Sequence, residues 1–387
     1  MRGCITHRAD GTYAAVIELS RGPDGRRRHK WFGGYRTRKG AQAKLNELMA
    51  ELQANTFVAP STMTLADYLR RWLAESAAPR LAGRSLERTR CIVERHLTPE
   101  LGGYRLSELR PLHIQSYLTQ ARTSGRKSGH GGLAGATLLK HFEVLHSALG
   151  QAVKWELIPR NPASAVDRPR VGTRPGQAIR ALSAEEVAEL LAAAAGTRLY
   201  TPILVAVTTG LRRGELLALH WADLDLDKGT LSVNCALEET GAGISFKAPK
   251  TAQSRRTMPL PATTVQALRD HHRAQAELKL RAGPAYGDQD LVFATPLGAP
   301  WIPSNFGRTF RTFKTRHGYS FRFHDLRHTH ASLLLALGVH VKVVQERLGH
   351  ASVTMTMDTY SHLLPGVQEA AIDAFEATLA SVLQPAR

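Results

Sequence analysis

The spacing of hydrophobic positions divides the chain into three stretches. In the first, GTYAAVIEL (11–19) alternates polar and apolar residues as a strand does, and HKWFGGY (29–35) does so again beyond the turn-like RGPDGRRR. TRKGAQAKLNELMAELQAN (37–55) then switches to helical spacing, so residues 1–59 predict a small sheet carrying one helix. FVAPSTMT (57–64) reads as a linker. Beyond it, apolar residues recur every three or four positions in LADYLRRWLAES, SLERTRCIVERHL, RPLHIQSYLTQARTSG and, after a Gly-rich break, ATLLKHFEVLHSALGQAVKWEL. Residues 62–156 thus predict a four-helix module. Residues 157–176, loaded with Pro and Arg, read as an extended basic linker.

Residues 177–387 form the third stretch. Ser183 followed by Glu186 makes a capping-box start for one helix, and TPILVAVTTG (201–210) reads as a buried one. TLSVNCAL and the SRRTMPLP region have strand character, and most of the rest is helical. The predicted fold class is multidomain, mainly α with small β-sheets, ending in a mixed α+β domain. At 387 residues and 43% hydrophobic, the chain has material for two or three cores.

Charge adds a partner to this picture. Residues 1–60 hold 11 basic and 5 acidic side chains and residues 61–175 hold 18 and 9, so most of the formal +18 lies in the N-terminal half. Such an excess points to a polyanion, with nucleic acid ahead of membrane surfaces or acidic proteins. Arg26, Arg27 and Arg28 sit beside Trp31 and Phe32, either as a solvated hairpin or as part of a basic sheet that enters a DNA groove. Cys4, Cys91 and Cys235 show no CxxC spacing, so neither a disulfide framework nor a zinc site is expected. The polar start MRGCITHRAD and the lack of a long apolar run predict a soluble, intracellular chain and not a membrane one.

Three local patterns carry candidate chemistry. In TTGLRRGELLALHWADLD a helix ends near Gly210 and Arg212 starts the next, with Glu215 three residues on, either as a plain ion pair or as a posed phosphate ligand. HDLRHTHAS places His324 and Arg327 at i and i+3, on one helix face. His324, His328 and His330 invite a metal reading, but there is no HExxH arrangement and Arg327 stands on the same face as His324. RLGHASVTMTMDTYSH carries His350 at a turn and Tyr360 ten residues later. A phenol with a pKa of about 10 is a poor nucleophile until positive charge surrounds it. Two Arg, one or two His, a Lys and a Tyr are what an in-line attack on a phosphodiester needs: cations for the developing charge and an acid for the leaving oxygen.

These residues resemble the tyrosine recombinase family, specifically the integrases of phages and integrative elements. TGLRRGELLALHWADLD resembles the family's first Arg box, HDLRHTHAS its H-x-x-R box and LGHASVTMTMDTYSH its His-and-Tyr end. KAPKTAQSRRTMPLP resembles its lysine-bearing β-hairpin, with Lys250 on the lysine position and Lys247 as the alternative. The resemblance extends to the layout: an arm-type DNA-binding domain at 1–59, a core-binding domain at 62–156, the linker at 157–176 and a catalytic domain with a tail helix at 177–387.

The resemblance implies that Tyr360 attacks a DNA phosphate to give a 3′-phosphotyrosine link and a free 5′-hydroxyl. Arg212 and Arg327 bind the non-bridging oxygens, Lys250 protonates the leaving 5′-oxygen, His324 moves a proton near the tyrosine and His350 hydrogen-bonds the phosphate. Glu215 supports Arg212. Neither ATP nor a metal is required, so no cofactor is expected. The implied partners are double-stranded DNA attachment sites, further copies of the chain in a tetramer, a host DNA-bending protein and a directionality factor. The implied outcome is integration, and excision, of a phage or other mobile element. The tail helix VQEAAIDAFEATLASVL either caps its own domain or docks on a neighbouring subunit. A DNA-binding regulator with a lapsed site is the competing reading, and a relaxing topoisomerase the third. All six residue types standing in place argue against the first, and the separate basic N-terminal segment against the second.

Overall fold

A computed structural model describes residues 3–19, 28–53, 62–126, 129, 131–172, 180–248, 255–360, 372, 375 and 376. The chain divides into two compact units, Met1–Arg174 and Pro175–Arg387.

The first unit opens with a three-stranded antiparallel sheet, β1 (Gly3–His7), β2 (Tyr13–Leu19) and β3 (Arg28–Tyr35), in that order. Periodicity gave β2 and β3; β1 is five residues long and half exposed, too short and too polar for an alternating signature. It is joined to β2 by a turn in which the Asp10 carboxylate accepts from the Thr12 amide at 3.0 Å and Thr12 Oγ1 at 2.6 Å. Helix α1 (Arg38–Gln53) covers one face, where Leu45 and Leu48 meet Ala15, Ile17, Ile5 and Phe32. Trp31, paired in register with Val16, is 55% exposed. Arg26, Arg27 and residues 54–61 lie outside the described residues.

Four helical runs follow, as the spacing predicts. Thr64 caps α2 (Leu65–Trp72) by accepting from the Asp67 amide at 3.1 Å, and the run continues through a wider π-helical turn, Leu73–Ala77. A second π-helical turn, Val93–Leu97, joins α3 (Gly83–Ile92) to α4 (Thr98–Leu101). Helices α5 (Pro111–Ser124) and α6 (Gly135–Lys154) complete the set. Leu65, Leu69, Ile92, Leu97, Ile114, Leu118, Leu145 and Leu149 form their shared core. The stretch read as a linker begins by packing on this core, through Ile158 and Ala163.

In the second unit α7 (Ala184–Ala194) starts at the expected capping box, with Ser183 Oγ accepting from the Glu186 amide at 3.2 Å and the Glu186 carboxylate from the Ser183 amide at 2.9 Å. Helix α8 (Tyr200–Thr209) is buried on nearly every side. After α9 (Arg213–Leu217) come β4 (Leu224–Asp225) and β5 (Thr230–Val233), then a two-stranded hairpin of β6 (Ala236–Thr240) and β7 (Gly243–Lys247). Strand β8 (Arg256–Pro259) returns to pair with β5. Helices α10 (Ala262–Ala282), α11 (Pro303–Arg316), α12 (Asp325–Ala336), α13 (Val341–Leu348) and α14 (Val353–Tyr360) follow. The core is built from Leu190, Ile203, Val205, Leu216, Leu231, Met258, Phe306, Phe310 and Leu326. Among the described residues no helix is long and apolar enough to cross a membrane.

Candidate functional site

The site begins where two helices end. Helix α8 stops at Gly210, whose φ of +67° is open to glycine at little cost. A Cβ there would lie 2.8 Å from both His330 Cδ2 and Leu348 Cδ2, so close approach as well as backbone shape demands glycine. The chain then turns into Arg212, the extended residue that precedes α9. Helix α13 ends in the same manner at Gly349, with φ +64°, and delivers His350.

Both helix ends converge on Arg327. Its Nη1 donates to Gly210 O at 2.7 Å and its Nη2 to Leu348 O at 2.6 Å, and the residue is 3% exposed. The carbonyls at a helix C-terminus lack intrahelical partners and carry its partial negative charge, so one buried guanidinium satisfies two helices. The i, i+3 spacing placed His324 and Arg327 side by side on a helix face. In the structure Arg327 is driven inward by this fork, while His324 stands at the start of α12 with solvent on one side and its ring 5.1 Å edge-on from that of His328.

Arg212 is held by Glu215, whose Oε1 accepts from Arg212 Nη1 at 2.8 Å and whose Oε2 accepts from the Arg212 amide at 3.0 Å. Glu215 is buried, and Arg256 Nη2 reaches the same Oε2 at 2.9 Å. Burial pushes the Glu215 pKa up, but the Arg256 and Arg212 charges and hydrogen bonds overcome this and hold it below the ordinary carboxylate value.

His350 is also buried; its Nδ1 is 3.0 Å from Thr356 Oγ1, and Gln345 Nε2 donates to its carbonyl at 2.5 Å. Burial, then the charges of Arg327 and Arg212, push its pKa down to about 4. His324 is pushed down to about 4 as well, by its lost solvation and by His328, Arg327 and Arg212. Each imidazole thus feels both arginines, which puts Arg212, His324, Arg327 and His350 in one electrostatic neighbourhood although they come from three distant parts of the chain. His330 serves the scaffold: its Nδ1 is 2.9 Å from Val207 O, behind Gly210.

Lys250 lies outside the described residues, and of Tyr360 only the backbone, ending α14, is described. The alternative lysine, Lys247, pairs across the hairpin with Glu238. Residue-by-residue reading missed Arg256. The signal was present in SRRTMPLP, where Arg256, Met258 and Leu260 alternate onto one side of the strand, and an arginine at an inward position needs a buried anion.

A small sheet with one helix, a helical set and a mixed α+β unit, in this chain order, is the layout of DNA integrases. Residues 180–366 match the phage integrase family, residues 64–120 its N-terminal SAM-like domain and residues 6–52 an Arm DNA-binding domain. A tyrosine recombinase XerC-like protein of Caldanaerobacter subterraneus subsp. tengcongensis is 30% identical over 382 residues, covering 93% of this chain and 95% of its own. In fold the chain is similar to the Tn1549 transposon integrase in complex with a circular intermediate DNA, with TM-score 0.66 and 19% identity over 81% of this chain and 99% of that one. It is also similar to lambda integrase, solved as a tetramer bound to a Holliday junction, with TM-score 0.56 and 21% identity over 90% of this chain and 96% of that one. The chain belongs to the phage integrase family of tyrosine recombinases, and is an enzyme of site-specific DNA recombination.

Proposed function

We propose that this integrase cleaves and rejoins DNA through Tyr360, and that Arg212, Lys250, His324, Arg327 and His350 serve that step. The observation that carries the reading is the gathering of Arg212, His324, Arg327 and His350 in one neighbourhood, with His350 against α14. His350 contacts Thr356 of that helix, and Tyr360 follows Thr356 by four residues, one turn along the same face. The tyrosine oxygen attacks phosphorus in line, the bond from phosphorus to the 5′-oxygen breaks, and a 3′-phosphotyrosine ester forms. Arg212 and Arg327 stabilise the charge on the non-bridging oxygens, Lys250 gives the proton to the leaving 5′-oxygen, and His324 takes the tyrosine proton. His350 donates to the phosphate. With pKa values near 4 both imidazoles are neutral at pH 7 in the free protein, and an arriving phosphodiester anion raises them. Because the ester keeps the energy of the broken bond, reversal with a new 5′-hydroxyl rejoins the strand without ATP or metal.

Recombination joins two duplexes and needs several active sites, so the working form on DNA is a homotetramer, as in the lambda integrase complex. The basic residues of 1–59 and 62–156 grip attachment-site DNA. The setting is the bacterial cytosol, with a host DNA-bending protein and a directionality factor as further partners. Incubation with labelled DNA flanking its own gene, followed by a denaturing gel, tests the reading. An adduct that survives SDS and EDTA and is lost in Tyr360→Phe supports it. Cleavage by Tyr360→Phe, or an adduct that EDTA abolishes, overturns it.

A further inference from the structure

We propose that Arg256 is a positioning residue for strand cleavage, neutralising Glu215 so that the full charge of Arg212 is left for the scissile phosphate. This rests on the reading of Arg212 as a phosphate ligand. The Glu215 carboxylate carries one negative charge and faces two guanidinium groups, Arg212 on Oε1 and Arg256 on Oε2. Their burial differs: the Arg256 and Glu215 side chains are each 7% exposed, whereas that of Arg212 is 40% exposed. Coulomb attraction is strongest where water is excluded, so Arg256 and Glu215 form the tight pair and Arg212 remains the partner able to turn to an incoming anion. Without Arg256, Arg212 becomes the sole counter-ion at this carboxylate among the pairs described and is drawn toward it.

A second contact set ties the same guanidinium to the other half of the site. Arg256 Nε donates to Arg347 O at 2.7 Å, in the last turn of α13. Its Nη1 lies 3.0 Å from where a Cβ on Gly349 would stand, directly before His350. Arg256 also contributes to the depression of the His350 pKa. It stands at the start of β8, two residues beyond the segment that carries Lys250. One side chain thus links the Arg212 turn, the His350 turn and the strand that follows the segment carrying Lys250.

Three variants of the full-length protein, together with Arg212→Ala, test this. Single-turnover adduct formation is followed on nicked attachment-site DNA, with DNA affinity and thermal melting measured alongside. Arg256→Met is expected to slow cleavage by about tenfold or more, as loss of part of one transition-state donor does, at little change in DNA affinity. Arg256→Met combined with Glu215→Gln is expected to regain much of that rate, because removing the anion releases Arg212; a merely structural role for Arg256 predicts no such recovery. A folded Arg256→Met that cleaves normally, or a double variant no faster than the single one, overturns the proposal. Should Arg256→Met fail to fold, Arg256→Lys decides. It keeps the charge, so a near-normal rate supports neutralisation and a tenfold loss in the folded variant refutes it. Normal cleavage by Arg212→Ala would remove the phosphate role of Arg212 itself, whereas a loss there with no effect of Arg256 removes only the role of Arg256.

Discussion

Arg327 Nη1 stands 2.7 Å from the carbonyl oxygen of Gly210, the left-handed residue at which α8 ends, and through its other nitrogen the same guanidinium holds the end of α13. On the proposed role of Arg327, a phosphate-binding cation would thus be set in place by the backbone of two helices before any DNA arrives. Preorganisation of this kind avoids reorganisation during the reaction.

Arg327→Ala is expected to lower single-turnover cleavage by at least about 10²-fold, the loss typical of one removed transition-state donor. Arg327→Lys should recover little, because a point charge does not reproduce a planar fork that reaches two carbonyls. The alanine variant also leaves two buried carbonyls without this partner, at about 1–3 kcal/mol each, so its melting temperature should fall. Cleavage within a few-fold of the unmodified protein would refute the assignment.

Gly210→Ala should damage the same place without touching a charge. The left-handed backbone costs a non-glycine residue about 1 kcal/mol or more, and the new methyl group meets His330 and Leu348 at 2.8 Å. We expect a loss of roughly 2–4 kcal/mol in urea unfolding. An unchanged midpoint would mean that the α8–α9 turn is not under this constraint.

Lys247 and Lys250 are separable by substitution. The Lys247 ammonium is engaged by Glu238 across the hairpin, so Lys247→Ala should leave cleavage within about threefold and at most weaken the hairpin, as exposed pairs contribute little. Lys250→Ala should remove the acid and slow release of a normal 5′-hydroxyl by about 10²-fold or more. A substrate with a 5′-phosphorothiolate, whose leaving group needs no proton, should restore the Lys250→Ala rate. Rescue of Lys247→Ala instead would exchange the two roles.

Stability should fall as the solution is acidified. His141, His330 and His350 are 1%, 5% and 7% exposed and are each pushed down to about 4, chiefly by burial. The unfolded chain, with ordinary histidines near 6.5, binds more protons than the folded one between these values. The stabilising contribution is therefore complete above about pH 6.5 and is lost as pH falls toward 4. At about 1.4 kcal/mol per pKa unit, each group is worth on the order of 3 kcal/mol at most. Melting of the whole protein from pH 7.5 to 4.5 should show a steady decline, less steep in His330→Gln. A flat profile would mean that these imidazoles are not held neutral.

The local record in the sequence was sufficient for the parts. Ser183 and Glu186 announce a capped helix, the three- and four-residue spacing gives the helical runs, and Gly210 and Gly349 mark helix ends, because these features depend on neighbours a few residues away. Arg212 and His350 could be singled out because each follows a glycine turn, at Gly210 and Gly349, and His324 and Arg327 because their i, i+3 spacing puts them on one helix face. Strand β1 was lost because five half-exposed residues carry no period, and the hairpin of β6 and β7 because its pairing depends on register and not on pattern.

Only the tertiary structure decided how those parts face one another. Helical spacing put His324 and Arg327 side by side, yet one is half in solvent and the other buried in a fork between carbonyls 138 positions apart in sequence, at Gly210 and Leu348. Arg256, 41 residues from Glu215, became visible as part of the site only when its guanidinium was found on that carboxylate. Sequence determines which charges a chain owns and which turns it must make. Which charges share a carboxylate, and which are left to meet a phosphate, follows from long-range packing and from the cost of burying an ion without its partner.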